Sequence, residues 1–467
     1  MIDNYKLLKI SFTALLLSIT FANYVSASNL SANSYGNLNS YNLAKNYTLP
    51  EITSAEYNAI CSGIDRSSMQ CQNNLANLQK YAGFDINIIE SNSVGVKSVL
   101  AYNITYNTPN YIPNGIAADK IKGVVLYYHP TMYNYNDYSP SANIATGASY
   151  PAMYASQGFI VVLADLPGFG VDNTEMHPYI FPKINVTAGV NMLKATNTLL
   201  EKIGIKRINK YPLILNGFSE GGMLAQMASY MIQNNQILLD DTNTKLALTV
   251  PMAGAFDLTK TQTAMAYSNI TAPKNNDFRV QSQFTTALAK VGLIAYTANS
   301  YNYYTNTKCN SLLIDNMCNF SISDISAKNL SEIFESIDVT DTMTIQAKLY
   351  EHALKVSSYG LDNNSIINIM QKNLPLEYRK AIDNITLFDW ETKTPIEYIH
   401  LKRDSLVTPL NSILAEKKVS KKSAQRLVSR TEINNDNYLE GKDKSVIDHN
   451  NPIMYGFAVS IFNQYFK

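Results

Sequence analysis

The residues best suited to chemistry lie in the hexapeptide Gly217-Phe218-Ser219-Glu220-Gly221-Gly222. An apolar run at 211–216 precedes it, and a helical pattern at 223–231 follows it. A serine flanked by glycines between a strand and a helix is typical of a sharp, strained turn, because a Cβ on either neighbour would clash with the strand or the helix. Such a turn lifts the hydroxyl clear of the sheet, so Ser219 is the candidate nucleophile.

A serine hydroxyl is a poor nucleophile at neutral pH, and it needs a histidine that takes its proton and an acid that orients this histidine. Among the five histidines, His449 is the candidate base, since it lies in a polar loop just before the last predicted helix. The other four fit less well, because two precede the serine, one falls within a predicted helix of an insertion and one is expected to be packed and hydrogen-bonded on a strand: His129, His177, His352 and His400.

Asp404 is the candidate orienting acid. It follows the carboxyl end of the strand predicted at 395–401, and it lies between Ser219 and His449 in the chain. Asp257, which follows the strand ending at Val250, is the alternative.

Acyl transfer by a serine also needs two N–H donors for the oxyanion, each typically contributing about 2.7–4 kcal/mol to lowering the barrier. The backbone N–H of Glu220 is one candidate, because it opens the predicted helix, whose dipole favours negative charge. The second candidate is Thr131 in the loop after the strand ending at Tyr128. Pro130 has no N–H, and Met132 is the alternative.

The elements that must position these residues follow a β-α-β rhythm. Continuous apolar runs at 123–128 and 159–164 indicate strands buried on both faces, and the helical patterns at 150–157 and 186–203 imply parallel pairing. A strand or hairpin is predicted at 94–108, a strand at 246–250 and a final helix at 452–466. The apolar face of that helix should pack on the sheet, through Met454, Phe457, Ala458, Ile461, Phe462 and Tyr465. The fold class is therefore α/β, with a mostly parallel central sheet flanked by helices.

About 130 residues separate the last two predicted core strands, far more than a simple connection needs. We assign 258–390 to an inserted, mainly helical cap or lid, and 91–257 with 391–467 to the core. Residues 28–90 form an N-terminal extension, of which 28 to about 50, rich in Asn, Ser and Tyr, is predicted to be a loose leader.

The N-terminus predicts export. Lys6 and Lys9 precede a short apolar stretch at 10–22, and small residues lead to Ala27, which together describe a signal peptide at 1–27 with cleavage after Ala27. Secretion and the periplasm remain equally open. Two local cysteine pairs suit two disulfide loops in an oxidising compartment, although other pairings are open: Cys61 with Cys71 and Cys309 with Cys318.

Composition excludes some function classes. Charged residues make up 16% of the 467 residues and the formal net charge is +1, so no electrostatic footprint for nucleic acid is present. Neither a cofactor nor a metal is expected, since no cluster of His, Cys and carboxylates has ligand spacing.

Together these segments resemble an α/β-hydrolase, and within that fold they are similar to the secretory lipase-like and carboxylesterase branch. Four segments carry the likeness: His129-Pro-Thr, Asp165-Leu-Pro-Gly-Phe-Gly170 with His177-Pro-Tyr179, the Ser219 hexapeptide, and His400-x-x-x-Asp404-x-x-Val407. In this family the order is Ser, acid, His. The resemblance implies that the Asp165 segment is a supporting loop at the rim of the active site.

The sequence thus predicts an exported serine hydrolase that cleaves a small-molecule or lipid ester, with the cap as the part that would contact a lipid interface. A serine peptidase of the prolyl oligopeptidase type is an alternative, although the roughly 95 residues before the first strand are too few for its propeller. A non-catalytic binding protein on the same scaffold is the other alternative. The acyl chain length and the oligomeric state stay open.

Overall fold

The computed structural model describes residues 40–47, 95–102, 107–132, 152–169, 176–259, 261–262, 293, 296–297, 299–304, 385–404, 406–424, 426–434, 449 and 453–466. The predicted signal peptide, all four cysteines and most of the predicted cap lie outside these residues. No helix among the described residues has the length and apolar character needed to cross a membrane.

In the described part of the chain, nine strands form one sheet, in the order β1-β2-β3-β5-β4-β6-β7-β8-β9. Their bounds are β1 Ser40–Tyr47, β2 Gly95–Tyr102, β3 Asn107–Asn114, β4 Gly123–Tyr128, β5 Phe159–Leu163, β6 Tyr211–Phe218, β7 Thr244–Met252, β8 Ile396–Leu401 and β9 Val428–Ile433. Strands β1, β2, β3 and β5 pair antiparallel in that order, whereas every pairing from β5 through β4, β6, β7 and β8 to β9 is parallel. The predicted mostly parallel sheet is confirmed.

Helices cover both faces of the sheet. Their bounds are α1 Ala152–Ser156, α2 Pro182–Lys202, α3 Glu220–Gln233, α4 Leu410–Lys422 and α5 Ile453–Tyr465. Helix α2 begins at Pro182, where the missing N–H of proline costs no intrahelical hydrogen bond.

The alternation of side chains along β4 explains its unbroken apolar sequence. Val124 and Leu126 pack in the core beneath α2 and α3, while Val125 and Tyr127 pack in the opposite core with α1 and α5. All six residues of β4 are buried. A strand with both faces covered reads as a continuous apolar run, because neither set of side chains meets water.

Most of the predicted apolar face of helix α5 packs on the sheet. Met454, Ala458 and Phe462 are buried against the sheet, whereas Tyr465 is 42% exposed. The prediction for Tyr465 is wrong, because at the end of α5 the next residue, Phe466, packs against Phe159 instead.

Strands β1 and β9 and helix α4 were not predicted from the sequence. Strand β1 falls in the segment assigned to a loose leader, so that prediction is wrong for Ser40–Tyr47, which pairs along its length with β2. Strand β9 adds to the sheet beside β8, and helix α4 packs on these two strands. Both β1 and β9 are edge strands, which need apolar side chains less than central strands do.

Candidate active site

Ser219 lies at the turn between β6 and α3. Its φ is 58° and its ψ is −118°, a backbone conformation that non-glycine residues rarely adopt and that costs of order 1–3 kcal/mol. The N–H of Ser219 donates to the carbonyl of Met252 at the end of β7, at 2.9 Å. The sequence pattern predicted the strained turn, and the structure adds that the neighbouring strand holds it in place.

The glycine after this turn is required by a close approach to β4. A Cβ on Gly221 would lie 2.0 Å from the carbonyl oxygen of Tyr128 and 2.8 Å from that of His129. No side chain fits at such distances. The start of α3 is therefore pressed against the carboxyl end of β4, where the candidate oxyanion loop begins.

His449 lies between the serine and an acid. Its Nε2 atom is 2.8 Å from Oγ of Ser219, and its Nδ1 atom is 2.6 Å from Oδ2 of Asp404. The ring also packs on Phe218, with centroids 4.8 Å apart. Although 230 residues separate Ser219 from His449, the three side chains form one hydrogen-bonded chain.

Asp404 is fixed by the turn that follows β8. Its Oδ1 accepts hydrogen bonds from the backbone N–H groups of Leu406, at 3.0 Å, and Val407, at 2.8 Å. Burial alone would raise the pKa of Asp404, but the nearby His449 charge and hydrogen bonds from His400 and His449 hold that pKa well below its usual value. The carboxyl group therefore stays ionised under ordinary conditions.

Asp257, the alternative acid, is bound elsewhere. Its two carboxyl oxygens accept hydrogen bonds from the hydroxyls of Thr259, at 2.8 Å, and Thr261, at 2.6 Å. Its backbone N–H donates to Oδ1 of Asn411 at 2.8 Å. These contacts stabilise the turn after β7, and the acid within hydrogen-bonding distance of His449 is Asp404.

The two candidate oxyanion donors lie on the elements that the sequence indicated. Glu220 is the first residue of α3, so its backbone N–H has no acceptor within the helix. Thr131 lies in the loop after β4, and its hydroxyl donates to Oη of Tyr179 at 3.2 Å. Their roles stay predictions, because they depend on where a substrate carbonyl would bind.

A short described part of the predicted cap packs beside this loop. The ring of Tyr296 stacks on Tyr179, with centroids 4.5 Å apart and planes 4° from parallel. Ser300 donates to the carbonyl of His177 at 3.2 Å, and Tyr301 donates to that of Ile180 at 3.2 Å. Tyr296, Ser300 and Tyr301 thereby fix this part of the cap to the 176–181 loop at one side of the site.

Solved structures similar to this chain include two bacterial proteins. One, from Legionella pneumophila and provisionally named a hydrolase, is 17% identical with a TM-score of 0.62. The other is a point-mutant form of the rice cell wall degrading esterase LipA from Xanthomonas oryzae, 16% identical with a TM-score of 0.60. Each match covers 92% of this chain and 98% of the other. This chain has the α/β-hydrolase fold.

The similarity to these solved structures lies in the fold, while the sequences are only 15–17% identical. A ligand-bound form of the Xanthomonas esterase is 15% identical with a TM-score of 0.58. No protein-family model and no curated protein matches the chain. The resemblance inferred from sequence motifs is therefore confirmed for the α/β-hydrolase fold.

Within this α/β-hydrolase fold, two contacts next to the candidate triad were not foreseen. Nε2 of His400 lies 3.3 Å from Oδ2 of Asp404, and Nε2 of His177 lies 3.1 Å from Oε1 of Glu220. The sequence predicted only that His400 is packed and hydrogen-bonded, which is confirmed by its contacts with Ser412 and Val407. The spacing His400-x-x-x-Asp404 across a strand end was the available signal for the first contact, whereas 43 residues separate the second pair.

Proposed function

We propose that this protein is a serine hydrolase that cleaves carboxylic esters through an acyl-enzyme. The observation that carries this proposal is the unbroken hydrogen-bonded chain from Ser219 through His449 to Asp404. A histidine that contacts both a hydroxyl and a buried carboxylate can take the hydroxyl proton, and the carboxylate stabilises the resulting imidazolium.

The proposed reaction begins when Oγ of Ser219 attacks the ester carbonyl while Nε2 of His449 takes its proton. Asp404 accepts the Nδ1–H of His449 and so fixes the tautomer with a free lone pair on Nε2. His449 then returns the proton to the leaving alcohol. Water attacks the acyl-enzyme by the same route, releasing the acid and restoring Ser219.

The tetrahedral intermediates carry an oxyanion, which we assign to the backbone N–H groups of Glu220 and Thr131. The position of Glu220 at the first turn of α3 supports this assignment, because unpaired N–H groups and the helix dipole meet there. Close packing of Gly221 on Tyr128 supports it further, since this contact holds the two loops together.

We choose an ester substrate because the fold is shared with an esterase named for degrading rice cell wall. The signal-peptide pattern at 1–27 supports export, to the periplasm or beyond it. N-terminal sequencing of the exported protein should then begin at Ser28. The substrate is a small-molecule or lipid ester, and the cap predicted at 258–390 is the proposed site of any contact with lipid.

Fluorophosphonate labelling of the purified protein tests the proposal. We expect one adduct, located on Ser219 by peptide mapping, together with hydrolysis of p-nitrophenyl esters of graded chain length. Ser219→Ala should lose both activities. Ser229→Ala is a matched control, because Ser229 lies on α3, the helix that follows Ser219. Its hydroxyl accepts a hydrogen bond from Thr249, away from His449. This variant should keep both.

A folded wild-type protein that takes no label, or takes it elsewhere, would contradict the proposed nucleophile. Labelling of Ser219 with hydrolysis of peptides but of no ester in the panel would favour the peptidase alternative. Labelling without any turnover would favour a binding protein.

A further inference from the structure

The acidic side chain directly after the candidate nucleophile is buried. The side chain of Glu220 is 2% exposed, and its Oε1 lies 3.1 Å from Nε2 of His177, whose side chain is fully buried. No described residue gives a hydrogen-bond partner to the second oxygen, Oε2. A lone buried carboxylate here would be costly to desolvate, and it would repel an oxyanion forming next to it.

The hydrogen bonds of His177 fix the number of protons on this pair. Nδ1 of His177 lies 2.7 Å from the carbonyl oxygen of Pro167. A carbonyl oxygen can only accept, so Nδ1 carries a proton. The contact between Nε2 and Glu220 then needs a second proton, held by either partner. In both arrangements the charges of His177 and Glu220 sum to zero.

His177 is itself held from two sides. Gly168 has a φ of +88°, and a Cβ at this position would lie 2.5 Å from the backbone nitrogen of His177, so the Pro167–Gly168 turn packs directly on it. From the other side, Ser300 donates to the carbonyl of His177 at 3.2 Å. The imidazole is therefore a rigid partner for Glu220.

We propose that His177 is a positioning residue for the oxyanion hole. Through its bond to the Glu220 side chain it fixes the direction of the Glu220 backbone N–H, and it cancels the carboxylate charge beside the developing oxyanion. This inference rests on the proposed ester hydrolysis, which assigns that N–H to the oxyanion. It also gives the described residues at 165–169 and 176–179 a defined role, because His177, held by Pro167 and Gly168, then connects them to α3 at the residue after Ser219.

Substitutions at both partners test the proposal. With Glu220→Ala or His177→Ala we expect kcat for a p-nitrophenyl ester to fall by about 100-fold, the typical effect of losing or misplacing one oxyanion donor, while KM changes by less than about three-fold. Glu220→Gln should recover at least about ten-fold of that loss. Its amide can donate to Nε2 of a neutral His177, restoring the bond without charge.

A third substitution separates charge from position. His177→Gln keeps a donor for the Glu220 carboxylate but leaves the negative charge uncancelled. Its kcat should stay below that of Glu220→Gln, and the double variant with both glutamines should exceed His177→Gln alone. Equal kcat for His177→Gln and the double variant would overturn the claim that charge cancellation matters.

Gln226→Ala is the control for general loosening of α3. Gln226 is a buried polar residue of the same helix whose amide bonds to Leu387 and Tyr398, away from the triad. Its loss should lower the melting temperature and leave kcat within about two-fold, because it breaks hydrogen bonds without moving the oxyanion donor. A fall in kcat equal to that of Glu220→Ala would overturn the proposed positioning role.

The same measurements separate this inference from the proposed function. A wild-type protein that neither hydrolyses esters nor takes a fluorophosphonate on Ser219 would refute the proposed function itself. Wild-type turnover with full kcat retained in Glu220→Ala and His177→Ala would refute only the role of this pair.

Discussion

Nε2 of His400 lies 3.3 Å from Oδ2 of Asp404, the same oxygen that accepts the hydrogen bond from His449. His400 also donates from Nε2 to the carbonyl of Val407 at 2.9 Å, and Val407 in turn donates its N–H to Asp404. The histidine on β8 therefore closes the turn that holds the candidate triad acid.

Replacing His400 should weaken catalysis as well as stability. His400→Leu leaves the carbonyl of Val407 and the hydroxyl of Ser412 without their partner, so we expect a loss of about 1–3 kcal/mol in the free energy of unfolding. A shift of Asp404 should also lower kcat by about 10–100-fold. Urea unfolding and ester kinetics measure the two effects. A destabilised variant with unchanged kcat would mean that His400 serves packing alone.

Removing the charge of Asp404 should remove most of the activity. Asp404→Asn can no longer accept the Nδ1–H of His449, so the wrong tautomer is favoured and kcat should fall by about 10⁴-fold. Asp257→Asn is the matched control. Its carboxyl oxygens are bonded to Thr259 and Thr261, so it should keep kcat within about three-fold and lose about 1 kcal/mol of stability. The opposite ranking of the two variants would make Asp257 the acid.

Gly221 should tolerate no side chain. The Cβ of Gly221→Ala would lie 2.0 Å from the carbonyl oxygen of Tyr128, so either α3 or the loop after β4 must move. We expect a loss of at least about 1–3 kcal/mol in stability, typical of overpacking, and a kcat reduced by about 100-fold because both oxyanion donors flank this contact.

A second glycine isolates the steric effect at Gly221. Gly204 has a φ of +81°, and a Cβ added there would have no described atom within 4 Å. Gly204→Ala should therefore cost only the left-handed backbone strain, about 1–2 kcal/mol, with unchanged kcat. Melting temperatures and ester kinetics of the two variants give the comparison. Equal kcat values would show that the contact between Gly221 and Tyr128 has no catalytic effect.

The central strands could be predicted from sequence because each is covered on both faces. Strands β4, β5 and β6 are buried, and each appears in the sequence as an apolar run. The turn at Ser219 adds a second signal, because Gly221 packs too closely on Tyr128 to carry a side chain. Strand β9 gave no such signal, since Ser429 and Glu432 of this edge strand are exposed. Burial on both faces thus separates β4, β5 and β6, which were predicted, from β9, which was missed.

The order Ser, acid, His, together with the places of Asp404 after a strand and of His449 before the last helix, was enough to name these two candidates, but not their supporting contacts. His177 was set aside as a base because it precedes Ser219, and nothing in its neighbours along the chain indicates that it meets Glu220 43 residues later. That contact arises only when the loop after β5 folds against the start of α3. A pairing between distant loops that belongs to no recognisable motif, such as His177 with Glu220, depends on the packed fold, and one sequence alone does not reveal it.

Because of His129, the free energy of unfolding should fall as the pH is lowered. Burial lowers the pKa of His129 to about 3 from an ordinary 6.5, although Nδ1 donates to the carbonyl of Pro130 at 2.7 Å. Below pH 6.5 the unfolded chain binds a proton that the folded chain does not. The contribution of His129 is therefore fully present above pH 6.5 and is lost as the pH falls towards 3, at up to about 1.4 kcal/mol per pH unit.

His129→Asn tests this sign, because its amide keeps a donor for Pro130 but does not titrate. Urea unfolding of both proteins is measured at about pH 7, 6 and 5, and subtracting the two curves cancels the contributions of groups that do not interact with His129. The wild type should lose about 2 kcal/mol more than the variant between pH 7 and 5. Parallel curves would mean that His129 binds its proton in the folded protein as readily as in the unfolded chain.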